Sequence, residues 1–135
     1  MHTIVTARAE TRTLAIAAPP AAVLAVIGDP LRLPEWAPAF ARTAVPEGDL
    51  WRIDTGAGEL LVDVQVCERA GTVDIVRPRD TSGGARLRAL HSGAGTELLF
   101  TILFPPEAGE AGVAAQMATV ERELETIRGL AEPAG

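Results

Sequence analysis

The chain has 135 residues, 47% of them hydrophobic and 22% charged, which is typical of one globular domain and excludes a disordered chain. The formal net charge is −6 and the 12 basic residues, all arginine, show no clustered basic face, so nucleic acid and acidic membranes are not expected partners. Cys67 stands alone, which excludes an intrachain disulfide and a cysteine-based zinc site.

The same sequence predicts the compartment and the domain organisation. The first residues, MHTIVTARAE, lack the apolar core of a signal peptide, and no apolar run is long enough to span a bilayer. We therefore expect a cytoplasmic protein without stable membrane insertion, folded as a single domain over residues 1–135. No pattern of residues predicts a metal site or a cofactor, and the sequence leaves the oligomeric state open.

The chain begins with a strand, a short helix and an unusual connector. TRTLAIAA (11–18) alternates apolar and polar residues, as a half-buried strand does. AAVLAVIG (21–28) predicts a short apolar helix, because Pro20 is tolerated in a first helical turn. The connector GDPLRLPEWAP (28–38) is expected to contain a second short helix. Its large aromatic residue, Trp36, either plugs the core or lines a site.

From residue 40 onwards the pattern changes to strands separated by short, often glycine-containing turns. Short connections between successive strands are typical of an antiparallel meander. Six strands are predicted, over residues 40–45, 50–55, 58–67, 72–77, 85–91 and 96–104.

The last segment, residues 111–132, predicts one long amphipathic helix. Its apolar residues recur at steps of three and four and form a single stripe made of Val113, Met117, Val120, Leu124 and Ile127. Such a stripe must be buried against the sheet. Glu121, Glu123 and Glu125 alternate around the helix and do not converge on a metal, so we interpret them as part of a solvated face.

Turn lengths predict the register of the sheet. The tight turns place apolar residues opposite apolar residues, which gives the pairs Ile53–Leu60, Trp51–Val62, Val66–Val73, Val64–Ile75, Ala89–Leu98 and Leu87–Phe100. The inner face of the sheet should then contain Leu60, Val62, Val64, Ile75, Leu87, Phe100 and Ile102. The outer, wet face should contain Asp63, Gln65, Arg86 and Arg88.

This order of elements resembles the START and birch-pollen-allergen-like (SRPBCC) superfamily, and within it the polyketide cyclase/dehydrase and lipid-transport group. Members of that group often have a Pro-Ala helix and then an Asp-Pro…Leu-Pro-Glu-Trp segment, matched here by Pro20, Asp29, Pro30, Leu33, Pro34, Glu35 and Trp36. The resemblance implies an α+β helix-grip fold, in which an antiparallel sheet of about seven strands wraps around the C-terminal helix. It also implies a hydrophobic cavity between sheet and helix, with Trp36 near one mouth.

We expect a mostly apolar cavity near the N-terminal half of the long helix. A strongly bent sheet contacts a straight helix along only part of its length, and methionine suits adaptable apolar contacts. The predicted ligand-binding residues are Trp36, Trp51, Val62, Leu87, Phe100, Met117 and Val120.

Two polar residues fall on the predicted inner face, Arg77 and His91. Arg77 either holds a carboxylate or enolate oxygen of a ligand, or is a strand-end arginine whose head reaches water. His91 either acts as a general acid or base, or is a solvated histidine beside a hairpin turn. The register places these two residues at opposite ends of the hairpin, so they do not form a dyad. His2 is expected to lie in a frayed terminus.

Three functions remain open on the sequence. The first is binding of a hydrophobic small molecule, polyketide-like or lipid-like, which the apolar inner face favours. The second is a cyclase/dehydrase-type enzyme in which Arg77 or His91 polarises a ketone; the absence of tyrosine weakens it, because the family's polar pockets often include that residue. The third is a protein-interaction module of the same fold.

Overall fold

The computed structural model describes residues 8–133, and His2 lies outside them. Seven strands and three α-helices follow one another in these residues. In chain order they are β1 (Arg8–Ile16), α1 (Pro20–Ile27), a 3-10 turn (Pro30–Arg32), α2 (Leu33–Trp36), β2 (Thr43–Glu47), β3 (Leu50–Asp54), β4 (Glu59–Cys67), β5 (Thr72–Arg77), β6 (Asp80–Ser92), β7 (Gly95–Phe104) and α3 (Glu110–Ala131).

The strands form one antiparallel sheet in the order β1-β7-β6-β5-β4-β3-β2. Strands β2 to β7 are a continuous meander, and β1 returns to pair with β7 along its whole length. The predicted α+β fold is therefore confirmed: a seven-stranded antiparallel sheet, two short helices after the first strand, and a long C-terminal helix.

The predicted register is confirmed as well. All six predicted apolar pairs are observed, namely Ile53–Leu60, Trp51–Val62, Val66–Val73, Val64–Ile75, Ala89–Leu98 and Leu87–Phe100. On the inner face Val62, Leu87 and Phe100 are buried. On the outer face the Asp74 carboxylate accepts hydrogen bonds from Arg86 (3.3 Å) and Arg88 (2.7 Å), so the charges there pair with one another.

Several strand boundaries differ from the prediction, and β1 spans Arg8–Ile16 instead of 11–18. The strand expected over 40–45 begins at Thr43, because the Ala37 carbonyl accepts hydrogen bonds from the next turn of backbone and keeps the chain coiled. The segment 78–84 was expected to be a loop, but β6 already begins at Asp80. Its backbone pairs with β5 across a tight turn, and a register shift between Ile75 and Arg77 absorbs the irregularity.

Helix α3 packs against the sheet and against both short helices, and its contacts with the sheet are concentrated on β1 and β7. The predicted apolar stripe is buried, and Arg12 of β1 pairs with Glu121 of the helix at 3.1 Å. Since the helix lies towards the β1 edge, it covers the inner face of β4 to β6 less completely. Within residues 8–133, no helix combines the length and the apolar character needed to cross a membrane.

A buried hydrogen bond joins the segment that follows β1 to the start of β7. Thr96, at the start of β7, is 2% exposed, and its Oγ1 donates to the Ala18 carbonyl at 2.7 Å. At the same end of the molecule, the Ala17 N–H donates to the Glu132 carboxylate at 2.7 Å. These contacts fix the position from which α1 and α2 start.

Candidate functional site

A cavity of about 250 Å³, partly open to solvent, lies between α3 and the inner face of β4 to β7. The segment around α2 supplies one wall, through Leu33, Trp36, Ala37 and Phe40. The sheet supplies a largely aliphatic floor, which includes Leu60, Val62, Ile75, Val76, Ala85, Phe100 and Ile102. Gln116 and Glu123 line it from α3, and Arg77, Asp80 and Gly84 line it from the β5–β6 hairpin.

The proline-rich connector holds the α2 wall in place. Asp29 caps the 3-10 turn, because its Oδ1 accepts a hydrogen bond from the Leu31 N–H at 3.0 Å. Pro30 follows at the first helical position, where its missing N–H costs nothing. Trp36 is thereby directed inwards and is 1% exposed. Its ring meets the ring of Phe100 edge to face, with centroids 6.0 Å apart and an interplanar angle of 72°.

Trp36 is thus both a core residue and a wall of the cavity, which combines the two alternatives left open by the sequence. Its Nε1–H is enclosed and has no hydrogen-bond partner within residues 8–133. A buried donor without a partner costs on the order of 1–3 kcal/mol. Trp36 therefore contributes apolar surface and shape to this wall, and its polar edge adds no stability.

Glu123 is the most unusual side chain of the cavity. It is 6% exposed, lines the cavity, and accepts no hydrogen bond from any group in the described part of the chain. Burial raises the pKa of this carboxyl to about 7, against a smaller opposing effect of Arg122. The carboxyl therefore changes its charge near neutral pH inside a mostly apolar space.

The interpretation of Glu123 as part of a solvated face was wrong. Glu121 and Glu125 are exposed, as expected, but Glu123 lies on the flank of the buried stripe that faces the cavity. Gln116 lies two helical turns earlier on the same flank. No three His, Cys, Asp or Glu side chains in the described ranges are placed to share a metal ion.

The β5–β6 hairpin forms the charged mouth of the cavity. Arg77 and Asp80 are backbone partners across its turn, and hydrogen bonds from Ser82 lower the pKa of Asp80. The bulge beside them needs Gly84, which has φ +92°. A Cβ at that glycine would overlap the carbonyl oxygen of Ile75. Glycine therefore lets the two strands approach closely where the cavity opens.

The predicted ligand-binding residues divide into two groups. Trp36, Val62 and Phe100 line the cavity, and the other four do not. Trp51 is half-buried against the core. The other three, Leu87, Met117 and Val120, are buried in the packed core and do not line the cavity.

The two candidate catalytic residues lie far apart, as the register predicted. Arg77 lines the mouth of the cavity with an exposed side chain. His91 is exposed at the other end of β6, opposite Thr96, and does not line the cavity.

A second concavity, between β1 and α3, is a wide surface groove of about 640 Å³. Charged side chains line much of it, including Arg12, Glu121, Arg122 and Glu125. The Arg12–Glu121 ion pair already joins its two sides. The mostly apolar cavity between the sheet and α3 is therefore the candidate site.

Comparison with known proteins identifies the fold. No family model matches the sequence, and no curated protein matches it. Solved structures do match. The protein XoxI from Bacillus cereus has a TM-score of 0.73 at 14% identity, over 91% of this chain and 94% of that one.

Two further solved structures share the fold. The ZhuI aromatase/cyclase from Streptomyces sp. R1128 has a TM-score of 0.69 at 17% identity, covering 92% of this chain and 93% of that one. A START superfamily protein from Mycobacterium smegmatis has a TM-score of 0.70 at 16% identity, covering 91% and 96%. This likeness shows that the chain shares the fold of these solved structures.

Proposed function

We propose that this protein binds an apolar small molecule in the cavity between the sheet and α3. The observation that carries the proposal is the cavity itself, whose floor is aliphatic and whose wall is the Trp36–Phe100 pair. Concave, mostly apolar sites with a few polar groups are the usual form of small-molecule sites. Glu123 inside and Arg77 with Asp80 at the mouth provide those polar groups.

The size of the cavity limits the ligand. A volume of about 250 Å³ lies just below the range of roughly 300–1,000 Å³ that is usual for drug-sized ligands. We therefore expect a compound of one or two rings, or a short aliphatic chain, and not a whole diacyl lipid.

A thermal-shift screen with one- and two-ring apolar compounds tests this proposal. A ligand that binds only the folded state at about one hundred times its Kd stabilises that state by about 2.7 kcal/mol. Ala85 lies on the cavity floor, and Ala85→Phe should fill the space and abolish the shift while the protein stays folded. Ala114→Phe, on the exposed side of α3, is the matched control and should leave the shift unchanged.

Met117 is a poor site for such a blocking substitution. It is 1% exposed in the packed core, so a charged residue there would unfold the protein regardless of any ligand. Native mass spectrometry of protein purified from its own host gives an independent test through a co-purifying mass. If no compound stabilises the wild type and none co-purifies, ligand binding is refuted and a protein-interaction module becomes the leading hypothesis.

The second candidate is a cyclase/dehydrase-type reaction, because two ionisable groups line the same cavity. The Glu123 carboxylate would remove a proton from the carbon next to a ketone, and that carbon would attack a second carbonyl, polarised by Arg77. This attack would close the ring, the new alkoxide would take the proton back from Glu123, and loss of water would then form a carbon–carbon double bond. Between the two residues first considered, the cavity lining favours Arg77 over His91.

Turnover of a small diketone tests this second candidate. Arg77→Ala and Glu123→Gln should each lower kcat by about 100-fold or more, the range of general acid–base contributions. His91→Ala is the control and should leave the rate unchanged, because that side chain does not line the cavity. If the diketone binds but is not converted, the cyclase/dehydrase hypothesis is refuted and only the binding function remains.

A further inference from the structure

We propose that Glu123 is the polar anchor of the site, and that it selects an apolar ligand that carries a hydroxyl group which donates a hydrogen bond to it. This inference rests on the proposed binding function and specifies the chemical class of the ligand. It makes position 123 of the helix, and not the charged mouth, the determinant of specificity.

The carboxyl oxygens of Glu123 are hydrogen-bond acceptors that have no donor among the described residues. Its side chain is 6% exposed and faces the cavity, yet no described residue donates a hydrogen bond to it. The Glu123 oxygens are not among the fully enclosed side-chain atoms that lack a partner, so they keep contact with the open part of the cavity. Trp36, which also lines the cavity, has an enclosed Nε1 donor that makes no hydrogen bond within residues 8–133. A donor supplied by a ligand would replace water as the hydrogen-bond partner of the carboxyl.

A hydroxyl fits this position better than an ammonium group. Removing a full positive charge from water into an aliphatic cavity costs far more than removing a hydroxyl. The carboxyl can also accept a hydrogen bond in either protonation state, since a protonated carboxyl keeps acceptor capacity. The charged groups around the site are Arg122 on α3 and, at the mouth, Arg77 and Asp80. Arg77 and Asp80 carry opposite charges, so the mouth has no excess of negative charge that would attract a ligand cation.

Matched two-ring probes test the proposal: 2-naphthol, 2-methoxynaphthalene and 2-naphthylmethylamine. The first donates a hydrogen bond, the second keeps the oxygen but loses the donor, and the third is a cation. Kd values are measured by calorimetry at about pH 6 and about pH 8, on either side of the Glu123 pKa of about 7. The wild type should prefer 2-naphthol over 2-methoxynaphthalene by about five- to tenfold at both pH values, the effect of one net hydrogen bond.

Two variants assign the preference to the carboxyl. Glu123→Gln keeps an acceptor oxygen and should retain the preference at least in part, whereas Glu123→Met keeps the length, loses the acceptor and should reduce the ratio to about one. Glu125→Met makes the same chemical change on the exposed side of the helix and should leave the ratio unchanged. Far-ultraviolet circular dichroism shows that each variant is folded.

The outcomes separate this inference from the function on which it rests. Equal affinity for 2-naphthol and 2-methoxynaphthalene in the wild type would overturn the hydroxyl anchor and leave apolar binding intact. Tightest binding of the amine at about pH 8 would overturn it in favour of a cation site. A preference that persists in Glu123→Met would assign the anchor elsewhere. If none of the three probes binds at all, apolar ligand binding itself fails.

Discussion

Replacing Glu123 by glutamine should change how the stability of this protein depends on pH. Burial raises the pKa of the carboxyl from its ordinary value of 4.5 to about 7. Between those two values the folded state binds more protons than the unfolded state, so the free energy of unfolding falls as pH rises. The stability of the wild type that depends on the neutral carboxyl is thus fully present below about pH 4.5 and lost above about pH 7.

The magnitude follows from the same two values. At about 1.4 kcal/mol per pH unit, the shift from 4.5 to about 7 corresponds to about 3 kcal/mol. The cavity is partly open to water, which screens the charge, so about 2–3 kcal/mol is the expected range. Glutamine has nearly the same shape and no charge to bury. The free energy of unfolding of Glu123→Gln minus that of the wild type should therefore increase by this amount between about pH 4.5 and about pH 8.

Urea denaturation of both proteins across this pH range measures the difference directly. Glu125→Gln removes an equivalent charge from the exposed side of α3, and its difference from the wild type should change little over the same range. Carboxyl carbon NMR of Glu123 gives the pKa independently. A difference that stays flat with pH, or a carboxyl that titrates near 4.5, would refute the reasoning that this side chain is desolvated.

Three substitutions test the packing around the site by urea denaturation. Trp36→Ala should lower the free energy of unfolding by about 3–5 kcal/mol, since it removes a fully buried aromatic side chain. Trp51→Ala, at a half-buried position, should lower it clearly less. Equal losses would contradict the burial assigned to the two rings. Thr96→Val should lower the free energy of unfolding by about 1–2 kcal/mol, because the buried Ala18 carbonyl would lose its hydrogen-bond donor. A neutral effect would mean that water replaces the hydroxyl. Gly84→Ala should destabilise the protein more than Gly48→Ala, because both glycines have positive φ but only at Gly84 does a Cβ meet backbone; equal losses would show that the hairpin relaxes freely.

The sheet was predictable because local chemistry determines it. The two-residue turn before β4 and the period-two alternation leave one register in which apolar residues such as Ile53 and Leu60 share a face. The stripe of α3 is likewise a property of spacing alone. The start of β6 was not predictable. Residues 78–84 are polar and rich in glycine, and their pairing depends on backbone hydrogen bonds and a bulge, which leave no apolar pattern.

The lining of the cavity was only partly predictable, because it depends on where the helix lies across the sheet. Trp36, Val62 and Phe100 line it, since they belong to the inner face or to the connector directed at it. Met117 and Val120 belong to the centre of the helical stripe, and the centre is where helix and sheet make full contact. Open space forms beside the stripe, so the residues on its flank line the cavity, and a list of apolar residues does not contain them.

Glu123 shows most clearly why such a flank matters. A carboxylate beside an apolar stripe is usually solvated, because charged groups are rarely buried without a partner. The spacing from Gln116 to Glu123 marks one flank of the helix, but only the curvature of the sheet determines whether water reaches it. In this fold Glu123 is 6% exposed, and it lines a partly open cavity whose floor is aliphatic. Departures from the rules of burial are concentrated where a protein needs them for function, because folding alone does not favour them. The residue that local sequence patterns assign to solvent is therefore the one whose chemistry best defines what the cavity would hold.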